Sequence, residues 1–186
     1  MKLRLTACAA FAIALGCVPA QAFNSETAGT AVAIALPLAA GGITLYKGDW
    51  TGTAQVVVST VLTVGTVYGL KHIIKECRPF ATPCTPGGPN WDSFPSDTSA
   101  LAFAPAEFLR ERYGWQYGLP AYAAATFVGW SRVDAQKHHW YDVATSFGIS
   151  LLYNEIITTR YHPKRGFYTD LDADSRGVYA SLNYRW

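Results

Sequence analysis

Three stretches of this chain carry no charged side chain: Thr27 to Tyr46, Thr51 to Leu70 and Tyr113 to Ser131. Each is about the length that a helix needs to cross a bilayer. All three are rich in Ala, Gly and Thr, which let helices approach closely in a soluble core or in a membrane bundle. These runs make an all-α bundle the expected fold. Two further helices are expected, from Ser96 to Arg112 and from about His139 to Thr159. The first opens with Ser96-Asp97-Thr98-Ser99, a run of good N-cap residues. Between the second and third helices, Ala81 to Phe94 holds Pro83, Pro86, Gly87 and Gly88 and reads as a loop. A length of 186 residues suits one such domain.

Mean hydropathy is only +0.09. Together with the leader described next, that value favours an exported globular helical domain that touches a membrane over a chain made mainly of lipid-facing helices.

The first 22 residues read as a signal peptide. Lys2 and Arg4 give a positive start, Thr6 to Val18 is apolar, and Ala20-Gln21-Ala22 is a small-x-small cleavage signal. The mature chain is then expected to begin at Phe23. Acylation of Cys17 is the alternative, disfavoured because the position three before it is only Ala14. Lys2 and Arg4 are two of the 15 basic residues, so the remainder balances the 13 acidic ones and leaves no basic face for nucleic acid. Cys8 and Cys17 leave with the leader. Cys77 and Cys84 remain, close together in an exported chain, and are expected to form a disulfide. The expected location is the periplasm or cell envelope.

The C-terminus changes pattern. Gly166-Phe167-Tyr168-Thr169 leads into an acidic turn from Asp170 to Gly177, and Val178, Ala180, Leu182, Tyr184 and Trp186 then alternate with mostly polar residues. That predicts a short β-hairpin over 166–186, packed on the helical body or docked to a partner, since one hairpin cannot close a barrel.

Three blocks carry chemistry. In the first, Lys71, Lys75 and Arg78 recur at helical spacing and would share a face before Pro79 ends the helix. In the second, Pro95-Ser96-Asp97 opens a helix, where a serine and free backbone N–H groups make an anion cradle. In the third, Ser131-Arg132 precedes His138 and Asp142, four residues apart, so that a carboxylate could orient an imidazole nucleophile while Arg132 offers its donor fork to phosphate oxygens. Taken singly, each block also reads as ordinary helix-end chemistry.

Taken together, the blocks resemble the type 2 phosphatidic acid phosphatase and vanadium haloperoxidase superfamily. Its pattern is a Lys, six residues, then Arg-Pro; later Pro-Ser-Gly-His; later Ser-Arg, five residues, His, three residues, Asp. Lys71 and Arg78-Pro79 match the first element, Pro95-Ser96 the start of the second, and Ser131-Arg132, His138 and Asp142 the whole of the third. The resemblance implies a helical phosphatase-like domain over 23–165. It implies that His138 attacks phosphorus, that Asp142 orients it, and that Lys71, Arg78, Arg132 and Ser96 hold the phosphoryl oxygens. It implies no metal and no cofactor.

The departure is Asp97-Thr98 where the family has Gly-His. That His is the family's general acid, and threonine cannot replace it near neutral pH. Three consequences are open: Asp97 serves as the acid, the substrate has a good leaving group, or the site binds phosphate without turnover. The expected function is an exported phosphatase acting on a phosphomonoester or pyrophosphate, on a phosphorylated small molecule or lipid. The alternatives are a pseudoenzyme that binds a phosphorylated ligand, and an envelope structural protein docked by its hairpin.

Overall fold

The computed structural model describes residues 24–162 apart from 82, 86 and 87, together with the backbone of a C-terminal hairpin. The expected signal peptide lies outside the described residues. Five helices follow in order: α1 (Ser25–Tyr46), α2 (Trp50–Ile74), α3 (Asp97–Tyr113), α4 (Trp115–Asp134) and α5 (Trp140–Ile157). Strands β1 (Gly166–Asp174) and β2 (Gly177–Arg185) pair antiparallel, with Gly166 opposite Arg185 and Asp174 opposite Gly177. The acidic stretch read as a turn therefore belongs largely to β1.

The helix starts follow local chemistry. The side chains of Asn24, Asp49 and Ser96 accept hydrogen bonds from first-turn N–H groups of α1, α2 and α3. Gly114, at φ +86°, lets α3 turn directly into α4. One boundary differs from expectation. α2 ends at Ile74, well before Pro79, because Lys75 takes the left-handed conformation at φ 53° and ψ 47°. The early stop frees Glu76 to Arg78 to run beside the returning loop, where Arg78 N–H donates to Asn90 O and Ser93 N–H donates to Glu76 O.

A buried apolar cluster centred on α3 coexists with apolar outer faces. The most apolar helices are on the outside, and α3, which carries Asp97, Glu107, Arg110, Glu111 and Arg112, packs against all four others. Its Ala100, Ala102, Ala104 and Ala106 are fully buried and let the neighbours come close, while Phe103, Phe108 and Leu109 fill the space between. Glu107 is buried but held by Arg110, which donates to both its oxygens. On the outside, α1 and α2 are each long and apolar enough to cross a membrane, and little of either is buried. Leu38, Val61 and Leu152 face outward along the middle of the bundle. Exposed Tyr46, Trp50 and Trp115 ring one end, and exposed Trp130, Trp140 and Tyr141 ring the other. Two aromatic girdles around an apolar waist match the profile of a bilayer.

Most polar side chains inside the waist are satisfied locally, the buried Thr60 hydroxyl being an exception. The hydroxyls of Thr63, Ser146 and Ser150 donate to the carbonyl four residues earlier, and Asn154 donates to Ala104 O and Ser150 O. At the end away from the candidate site, Arg112 clamps both Asp49 oxygens and also reaches Gln55 and Thr159. Gly52 is required there, because a Cβ would lie 2.3 Å from Asp49 Oδ2.

Candidate active site

The C-terminal ends of α2 and α4 and the N-terminal ends of α1, α3 and α5 meet at one end of the bundle. Lys71 comes from the last turn of α2 and is buried, and its Nζ donates to Asp97 Oδ2 at 2.5 Å. Arg78 lies in the extended segment after α2 and donates to Asp92 Oδ2 at 2.8 Å, while its Nε is buried without a partner. Arg132 comes from the last turn of α4 and is also buried. It donates to the Glu26 carbonyl at 2.6 Å, and the Arg78 guanidinium is close enough to act on it. Gly29 on α1 makes room for the preceding Ser131, since a Cβ there would lie 1.9 Å from Ser131 Oγ.

The three cations are thus neighbours, and each rests on an acceptor from the protein itself. Asp92 shows the strength of the local field. Partial burial pushes its carboxyl up, but the hydrogen bond and charge of Arg78, and the charge of Lys71, hold it below its ordinary value.

His138 sits in the turn between α4 and α5, not on the helix, and is 5% exposed. Its Nδ1 lies 2.7 Å from the Ser93 carbonyl oxygen and 3.4 Å from Asp142 Oδ2. A carbonyl can only accept, so Nδ1 carries the proton and Nε2 keeps its lone pair. Asp142 is fully buried in the first turn of α5. Its Oδ2 accepts from Ser93 Oγ at 2.6 Å and from the His139 N–H at 2.8 Å, and its Oδ1 has no partner. Their four-residue spacing would put His138 and Asp142 on one helix face, but His138 lies in the turn before α5. Ser93 carries the closest contact to both, and sequence reasoning missed it because half of its role belongs to a backbone carbonyl.

Ser96 caps α3, its Oγ accepting from Ser99 N–H at 3.4 Å. Its own N–H donates to Ser146 Oγ at 3.0 Å. The donors left open at the start of α3 are the N–H groups of Asp97 and Thr98, which make no hydrogen bond among the described residues. Asp97 and Thr98 also line a cleft of about 260 Å³ with Thr30, Ala33 and Ile34 of α1, Val64 of α2 and Leu101 of α3. Lys75 belongs to the α2 cap and does not share the face expected for it.

Cys77 and Cys84 are joined by a disulfide next to Arg78. Glu76, His139 and Asp142 bring ligand-type atoms within 4.8 Å of one another. Each already has other work: Glu76 accepts from the Tyr141 hydroxyl, His139 stacks on the Tyr141 ring, and Asp142 closes the capping box of α5. His72 Nδ1 donates to Tyr68 O at 2.8 Å, and its ring packs edge-on to Trp91.

The arrangement can bind a tetrahedral anion on three cations and two backbone N–H groups, beside a buried imidazole with one free nitrogen. Comparison with known proteins agrees with that chemistry. A family model described as the PAP2 superfamily matches residues 52–166. A lipid A 4'-phosphatase of Helicobacter pylori (strain J99) is 32% identical over 162 residues, covering 81% of this chain and 80% of that protein. The crystal structure of LpxE from Aquifex aeolicus superposes with a TM-score of 0.51 at 20% identity, over 68% of this chain and 83% of that one, a likeness of fold.

Proposed function

This chain belongs to the PAP2 superfamily, and on that premise we propose that it is an exported membrane phosphatase that removes phosphate from a phosphorylated lipid through a phosphohistidine on His138. The observation that carries the reading is the Nδ1 bond from His138 to Ser93 O, which leaves the lone pair on Nε2 at the same end of the bundle as Lys71, Arg78 and Arg132. The phosphoryl group settles among those cations and the N–H groups of Asp97 and Thr98. Phosphoryl transfer needs little covalent help from a protein beyond such positioning and charge stabilisation. His138 Nε2 forms a bond to phosphorus as the ester P–O bond breaks. Water then attacks phosphorus, the P–N bond breaks, and inorganic phosphate leaves.

The lipid substrate is supported by the exposed apolar faces of α1 and α2 and by the relative that acts on lipid A. Helix α2, with 25 residues, is about 37 Å long, enough for a hydrocarbon core of about 30 Å. The site then lies level with the aromatic girdle of Trp130, Trp140 and Tyr141, where a lipid phosphate resides. Export is supported by the disulfide and by the leader pattern.

The test is phosphate release by the purified full chain in detergent, against lipid A, phosphatidic acid, a lipid pyrophosphate and soluble esters. Turnover of a lipid phosphate that disappears in His138→Ala is expected. Binding of phosphate without turnover of any of them would favour the pseudoenzyme reading, and neither binding nor turnover the structural one.

A further inference from the structure

We propose that Asp97 is the proton donor to the leaving oxygen, released for that role when an incoming phosphoryl group takes over Lys71. The inference rests on the phosphatase reading above and adds the residue that the reaction on an alkyl ester still lacks. An alkoxide is a poor leaving group, and protonating it in the transition state is typically worth about 10²–10⁴-fold.

The other titratable groups of the site are committed. His138 is engaged at Nδ1, and its Nε2 is the nucleophile. Asp142 is fully buried and holds Ser93 and the His139 N–H. Asp92 holds Arg78. Asp97 differs in three ways. Its side chain is 42% exposed, so protons reach it from solvent. Among the described residues, its buried Oδ1 has no partner and its Oδ2 has only Lys71. It also lines the cleft between α1, α2 and α3, whose Ala33, Ile34, Val64 and Leu101 suit the apolar part of a leaving group.

The charged groups facing Asp97 are few. Lys71 comes from α2, with Asp92 beyond it in the loop, and α1 presents only Thr30, Ala33 and Ile34. The Lys71 ammonium is therefore the counter-ion in direct contact with this carboxylate. A phosphoryl group is the stronger acceptor, so Lys71 turns to it on binding. Asp97 then has lost its counter-ion and gained an anionic neighbour, and both changes favour the protonated acid. As Nε2 of His138 bonds to phosphorus and the P–O bond breaks, the Asp97 proton passes to the leaving oxygen, which departs as an alcohol. The Asp97 carboxylate then takes a proton from the water that attacks phosphorus, and the P–N bond breaks. His138 and protonated Asp97 are both restored.

The experiment compares the full-length parent, Asp97→Asn and Asp97→Glu on p-nitrophenyl phosphate and on a short-chain alkyl phosphate across pH. Asp97→Asn is expected to lower kcat on the alkyl ester by about 10²–10⁴-fold, and on the aryl ester by less than about tenfold, because that leaving group needs no proton. A fall of alkyl kcat at alkaline pH is expected in the parent and should vanish in Asp97→Asn, and Asp97→Glu should restore much of the alkyl rate. Thr98→His in the Asp97→Asn background should restore it as well. Equal losses on both esters, or a common change in KM with the kcat ratio unchanged, would mean that Asp97 only neutralises Lys71, and would overturn the proposal while leaving the phosphatase reading intact. A parent that turns over neither ester nor any lipid phosphate overturns both.

Discussion

His138 points its Nδ1 at the carbonyl oxygen of Ser93, 2.7 Å away, while Asp142 stands back at 3.4 Å. The tautomer of the proposed nucleophile is thus fixed by backbone, which no side-chain substitution removes. Asp142 contributes mainly by bonding Ser93 Oγ and the His139 N–H, and so shapes the turn that carries both groups.

The consequence is a graded response to mutation. His138→Ala should abolish turnover. Asp142→Asn keeps an acceptor for the His139 N–H and leaves the Ser93 carbonyl in place. A loss of about 10–100-fold in kcat is expected, as for other residues that act by orienting a reacting group. Ser93→Ala removes one bond to a fully buried carboxylate and should destabilise the fold by about 1–3 kcal/mol. Steady-state kinetics and thermal denaturation check these values. Loss of all activity in Asp142→Asn, with unchanged melting, would show that the carboxylate charge itself is needed.

The anion pocket should be detectable without turnover. Phosphate or vanadate binds only the folded protein and should raise its melting temperature at millimolar concentration. Arg132→Ala should remove the shift, because Arg132 is buried and held between Glu26 O and Arg78. Asp92→Asn frees Arg78 from its internal carboxylate and should strengthen vanadate binding, which the same melting series reads. An unchanged melting temperature in the parent at ten millimolar of either anion, a concentration of about 10 mM being far above a working Kd for such a site, would count against the pocket.

The parts of the site that were legible in the sequence are those set by spacing. Lys71, Arg78, Arg132, His138 and Asp142 stand in one order at fixed intervals, and the helices that carry them follow uncharged runs and N-cap residues. What escaped are contacts between distant segments. Glu26 and Gly29 meet Ser131 and Arg132 across more than half the chain, and neither has a local pattern to announce it. Ser93 acts partly through its carbonyl, which every residue possesses. Where the polar residues fall was not legible either. A low average hydropathy pointed to a globular domain, yet the polar residues that lower it are concentrated at the two ends and along the buried α3, and the apolar faces of α1 and α2 are outside.

The disulfide gives a prediction that joins compartment to site. Intact mass of the unreduced mature protein should lack two free thiols, and N-terminal sequencing should begin at Phe23. Reduction should loosen the segment that holds Arg78 and so weaken vanadate binding, beyond any change in overall stability. The pair Cys77→Ser and Cys84→Ser should cost about 2–3 kcal/mol, the entropy of closing so short a loop. Two alkylatable thiols in the unreduced protein would refute the bond.

At the far end of the bundle, Asp49 and Arg112 form the buried pair on which acid stability should depend. Burial pushes the Asp49 carboxyl up, but hydrogen bonds from Arg112, Tyr113 and the Gly52 N–H, with the Arg112 charge, pull it from 3.8 down to about 2. A carboxyl whose folded value is depressed leaves the unfolded chain to take up the proton first. The stability it contributes is therefore complete above about pH 4 and is lost as pH falls through about 2. Asp49→Asn should flatten the melting temperature over that interval relative to the parent. Arg112→Ala should be worse than Asp49→Asn at neutral pH, by about 3–5 kcal/mol relative to the parent, because it strands a buried carboxylate and also frees Gln55 and the Thr159 carbonyl. Since this network is at the opposite end from His138, the phosphatase rate per folded molecule should stay near that of the parent in both variants. Rates that collapse while the fold survives would show that the two ends of the bundle are coupled.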